Sequence, residues 1–136
     1  MLKHIMIDLE MNKIKKQYRE DKKLANELIE IGAVKMDDDF NEVDRYQTYV
    51  MPDYGKMDPH IIKLTGITDD KLEGAPRFKE AMRDFEKWIG GGAVTFYSWS
   101  LADIRQFQTE SSFKEYESET LRKMEKNWID FQEVYS

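Results

Sequence analysis

The chain has 136 residues, 40% hydrophobic and 35% charged, which suits one domain with a modest core. Asp and Glu number 27 against 21 Lys and Arg, a formal net charge of −6, which argues against a general polyanion binder, so nucleic acid, if met at all, is met by a local patch. Cysteine is absent, which excludes disulfides, thiol catalysis and Cys-ligated metals, and the only histidines are His4 and His60.

Residues 3–9 form a short apolar run with β-branched residues, the pattern of a largely buried strand. Residues 12–23 carry Lys13, Lys15, Lys16, Arg19, Lys22 and Lys23 without a sustained apolar stripe and read as a mobile basic loop. Two β-rich runs, 28–36 and 43–50, flank the acidic turn Asp37-Asp38-Asp39 and predict a hairpin. Pro59 suits the first turn of a short helix through Ile61, Ile62 and Leu64 to a stop at Gly66, and a loop with Thr68, Asp69 and Asp70 follows.

After Pro76, helical spacing of Phe78, Ala81, Met82, Phe85, Trp88 and Ile89 predicts an amphipathic helix that stops at Gly90-Gly91-Gly92. Residues 93–97 read as a fourth strand, the stretch from Leu101 with Ile104 and Phe107 as a helix, 109–126 as a charged segment, and 128–131 as a fifth strand. The expected fold class is α/β: three antiparallel strands, then two parallel ones, in a mixed five-stranded sheet flanked by helices within a single domain, 1–136. The N-terminus turns acidic too early for a signal peptide and no apolar run approaches the ~18 residues of a spanning helix, so no membrane partner and a cytoplasmic location are expected.

Asp8 and Glu10 stand two apart at the end of the first strand, so both side chains leave one face of the sheet while Ile7 and Leu9 leave the other. Two adjacent carboxylates repel, and they are tolerated if one is protonated, at a solvated strand end, or where a hard divalent cation, Mg²⁺ or Mn²⁺, sits between them. Asp103, near a helix start, fits either a first-turn acid or a further ligand.

Asp8-Leu9-Glu10 is followed in order by Glu30-Ile31-Gly32-Ala33-Val34, Leu64-Thr65-Gly66-Ile67-Thr68, Ala75-Pro76 and Ser98-Trp99-Ser100-Leu101-Ala102-Asp103. This series resembles the DEDDh group of 3′→5′ exonucleases, the DnaQ-like domain of ribonuclease H-like fold. The Trp-Ser-x-x-Asp form looks most like the KapD-like and histone-mRNA exonuclease branch, where Trp-Gly-x-x-Asp is usual. The resemblance therefore implies single-stranded 3′ ends as substrate, RNA slightly favoured over DNA. It also implies Asp8, Glu10 and Asp103 as catalytic ligands of two Mg²⁺ or Mn²⁺ ions about 3.5–4 Å apart. Leu9, Met11, Leu64, Thr65, Gly66 and Trp99 would then line the path of the strand, and Lys13, Lys15 and Lys16 would meet its phosphates.

The family's third motif, His followed five residues later by Asp on a C-terminal helix, is not in this sequence. His4 lies about 13 Å along the strand from Asp8 and His60 precedes the Leu64-Thr65-Gly66 segment, so neither is expected to serve as general base. A domain truncated at its C-terminus, weakly active or inactive, is the expectation, with a non-catalytic nucleic-acid or protein binding module as the alternative. An uncovered apolar face of the sheet would favour a homo-oligomer. Gly66 also suits a left-handed helix cap, and Phe96 is expected in the core.

Overall fold

A computed structural model describes residues 2–16 and 24–132. Its five strands are β1 (Lys3–Lys13), β2 (Asn26–Met36), β3 (Glu42–Tyr49), β4 (Val94–Ser98) and β5 (Trp128–Asp130). They lie in the order β3-β2-β1-β4-β5, the first three antiparallel and β1-β4-β5 parallel, as expected for a ribonuclease H-like sheet.

Five helices connect them: α1 (Pro59–Thr65), α2 (Asp69–Leu72), α3 (Phe78–Ile89), α4 (Ala102–Phe113) and α5 (Glu119–Lys126). Alternation in β1 sends Ile5, Ile7 and Leu9 into the main core, where they meet Phe78, Phe85 and Phe107 of α3 and α4. Phe96 is fully buried among them, as its place in β4 suggested. Helix α1 starts with Asp58 capping the His60 N–H and ends at Gly66, whose φ of 75° is the left-handed conformation that glycine adopts freely.

Three readings of the chain are corrected. Asp69 and Asp70 are not loop: they form the first turn of α2, where acidic side chains are favoured, and Leu72 is buried beneath it. Residues 12 and 13 are not loop: β1 continues through a bulge at Glu10/Met11, and Lys13 pairs with Asn26. Asn12 and Ile14 are buried while Lys13, Lys15 and Lys16 are exposed, a period of two hidden by the density of lysines. The rest of the basic stretch, 17–23, lies outside the described residues. Residues 109–126 are more than a charged segment, because α4 runs on to Phe113 and α5 follows. In α5 Ser118 caps the Leu121 N–H, and Leu121 and Met124, three apart, are buried.

The face of the sheet opposite α3 to α5 carries His4, Met6, Val34 and Tyr97. It is not bare: the Phe40 ring lies 4.5 Å from that of His4, and the Phe131 ring stacks 5.3 Å from that of Tyr97. Ile129 remains 37% exposed and Phe40 56% exposed on their outer sides. No helix among the described residues is long and apolar enough to cross a membrane.

Candidate active site

Because Ile7 and Leu9 are buried, Asp8 and Glu10 project from the other side of β1, Asp8 exposed and Glu10 half-buried. Helix α4 packs against β1 and β2 and brings Asp103, 9% exposed, to the same place. The Leu9 N–H donates to the Asp103 carboxylate, so the main chain between the two β1 carboxylates holds the third. Ser100, where the exonuclease pattern usually has Gly, takes the Ala102 N–H at the start of α4.

Burial, reinforced by the negative charges of Asp8 and Glu10, pushes the Asp103 carboxyl up to about 7, and the Leu9 hydrogen bond opposes this only in part. A carboxylate in the first turn of a helix is ordinarily favoured by the helix dipole, so its neighbours and burial outweigh that term. Glu10 is likewise raised, first by burial and then by Asp8 and Glu30. Glu30 was not singled out as a site residue; it is the cross-strand partner of Glu10, and its carboxylate accepts a 2.9 Å bond from Gln47 Nε2. The β1/β2 register was the signal that places it there.

Leu64 and Trp99 are 69% and 65% exposed, large apolar surfaces free to stack or wedge. Leu9 is corrected: its side chain is in the core, and only its main chain reaches the site. Met11 is half-buried against that core. The Thr65 hydroxyl is engaged within α1, donating to Ile61 O at 2.8 Å and accepting from Ile67 N at 3.1 Å. Among the described residues neither histidine bonds to Asp8, Glu10 or Asp103; the carboxylate that His4 Nε2 approaches, at 3.4 Å, is that of Asp38. His4 is 7% exposed and its Nδ1 lies 2.7 Å from the Tyr97 hydroxyl, while His60 is exposed on α1.

An all-carboxylate donor set fits a hard divalent ion in chemical type, since each oxygen gains by facing a cation in place of a like charge. Among the described residues no three such side chains already converge as a cage. The site is thus an open carboxylate patch, beside a depression of about 460 Å³ lined in part by Met6, Asp8, Gly32, Arg45 and Gln47.

The raised Asp103 has a consequence for stability. The unfolded chain releases this proton near pH 4 and the folded chain near pH 7, so folding stability falls as pH rises between those values and then levels off. Asp103→Asn, which mimics the protonated acid, should therefore match the wild type near pH 4 and melt roughly 3 °C or more higher at pH 8 without divalent ions. Melting curves across this range check it; a variant that is less stable at pH 8 would contradict the electrostatic account.

An exonuclease family model (RNase_T) matches residues 5–131. In sequence the chain is 32% identical over 87 residues to the PolC-type DNA polymerase III of Staphylococcus haemolyticus, covering 64% of this chain and 5% of that one. The Bacillus subtilis PolC-type enzyme is 36% identical over 73 residues, covering 54% and 5%. Among solved structures, the nuclease domain of 3′hExo, a DEDDh family member bound to rAMP, superposes with a TM-score of 0.70 at 21% identity, covering 85% of this chain and 60% of that one. Escherichia coli exonuclease I in complex with a dT13 oligonucleotide gives 0.74 at 16% identity, covering 98% and 29%. With the matched family model spanning nearly all of the sheet and its helices, the chain belongs to the exonuclease family that this model describes.

Proposed function

We propose that residues 1–136 form one 3′→5′ exonuclease domain acting on the 3′ end of single-stranded nucleic acid, with Asp8, Glu10 and Asp103 as its metal ligands. One observation carries this reading: helix α4 brings Asp103, about ninety residues later in the chain, beside the strand that bears Asp8 and Glu10, near enough for burial and their two charges to push its carboxyl up. Mg²⁺ or Mn²⁺ held there would supply a Lewis acid for the scissile phosphate and an acidified water. The exposed faces of Leu64 and Trp99 would hold terminal bases apart from the stack, and Lys13, Lys15 and Lys16 would track the phosphates. The Trp99 segment favours RNA, and the PolC-type relatives are DNA polymerases, so both strands belong in the test.

The second reading, a module that binds strands or protein without cutting, is favoured by the histidines: His4 is committed to Tyr97 and the chain holds no His-x4-Asp sequence. Without an imidazole beside the carboxylates, proton removal from the attacking water falls to weaker bases, and slow hydrolysis is expected. A gel assay on 5′-labelled single-stranded RNA and DNA should show slow shortening from the 3′ end that needs Mn²⁺ and disappears with Asp8→Ala. Strand binding that survives EDTA with no shortening in Mn²⁺ would establish the binding module instead.

Self-association across the face bearing Met6, Val34 and Ile129 belongs to the same proposal, because these half-exposed apolar groups gain by being covered. Sedimentation at micromolar concentration should give more than the monomer mass; a monomer throughout would end that part of the reading.

A further inference from the structure

Away from the carboxylate patch, a cluster of charges is buried where β2, α4 and the connection from β3 to α1 meet. Lys114 Nζ, its side chain 8% exposed, lies 2.7 Å from Glu110, 2.8 Å from Asp53 and 2.9 Å from Glu27. Glu27 and Glu110 have no exposed side-chain surface. Burial alone would lower the Lys114 pKa, but the charge of Glu110 and the bonds from Asp53 and Glu110 outweigh it and hold the ammonium above its ordinary value. The Glu27 carboxylate also accepts the N–H groups of Asp53 and Tyr54, and Glu110 accepts those of Leu28 and the Gln106 side chain. Gln106 in turn donates to Asn26 O at 2.9 Å.

These bonds tie α4 to a particular height on the sheet. Asn26, Glu27 and Leu28 pair with Lys13, Asn12 and Met11, immediately beyond the Glu10/Met11 bulge. Gln106 and Glu110 are one and two helical turns beyond Asp103 on the same side of α4, so fixing them to Asn26 and Leu28 sets Asp103 opposite Leu9. The apolar contacts of Ile104 and Phe107 tolerate sliding, whereas directional buried ion pairs specify register. We infer that Glu27, Gln106, Glu110 and Lys114 are positioning residues of the nuclease site: they hold α4 so that Asp103 meets the carboxylates of β1. The catalytic consequence rests on the reading of Asp8, Glu10 and Asp103 as metal ligands; the positional one does not.

The test compares the full chain with Glu110→Gln, Lys114→Arg and the Glu110→Gln/Lys114→Met double variant, which removes one charge of each sign. Amide exchange is followed without metal, and Mn²⁺ uptake by electron paramagnetic resonance. In the double variant, or in Glu110→Gln alone if the double variant does not fold, Leu9 should exchange about tenfold faster while Ile5 and Ile7 are unchanged. The Mn²⁺ concentration for half-saturation should rise about tenfold or more, with Lys114→Arg close to wild type. A lower melting temperature with Leu9 exchange and Mn²⁺ uptake within twofold of wild type would overturn the inference and leave the cluster a stability feature. Faster Leu9 exchange in a chain whose wild type takes up no Mn²⁺ would keep the positioning role and overturn the metal reading.

Discussion

Strand β1 is paired on both sides and buried on one face, and its register is the constraint from which the rest follows. Ile5, Ile7 and Leu9 must face α3 and α4, so Asp8 and Glu10 must face away. A slip of one residue would drive both carboxylates into the core, at a cost no local hydrogen bond offsets. The same alternation turns the Leu9 N–H toward α4 and Asp103. The bulge after Glu10 then ends the regular pairing where the two carboxylates reach solvent, and restarts it so that Asn12 is buried.

Asn12 shows how the site is framed on its other side. It is 1% exposed, donates to Lys56 O and accepts the Asp58 N–H at 2.9 Å. Asp58 caps α1, whose far end presents Leu64 to solvent. The strand that carries Asp8 and Glu10 is thus bonded to the loop that aims the exposed apolar helix, while Glu27 and Lys114 hold the preceding part of that loop from below. Among the described residues no ion pair neutralises Asp8, Glu10 or Asp103, and their mutual repulsion is the kind that a bound cation would relieve.

Much of this was legible in the residues. Alternation exposed Asp8 and Glu10, the Pro59 to Gly66 punctuation delimited α1, and the stripe from Phe78 to Ile89 delimited α3. What escaped did so for physical reasons. Only two apolar residues of α5 are buried, so its stripe sinks below its charges, and Ser118 was its clearest marker. Nothing in the sequence marks Glu27, Glu110 and Lys114 as one cluster: Glu110 and Lys114 stand one helical turn apart, but Glu27 joins them from more than eighty residues away. The Glu30 contribution needed cross-strand register, and the burial of Leu9 leaves only its main chain facing the carboxylates.

The central claim is that Asp8, Glu10 and Asp103 are brought together to share divalent ions. Crystals of the chain soaked in Mn²⁺, with anomalous differences collected at the manganese edge, test it most directly. The account predicts density among these three carboxylates that disappears in Asp8→Ala crystals. Manganese bound only elsewhere, for example at the Asp37-Asp38-Asp39 turn, or no bound manganese at all, would contradict it.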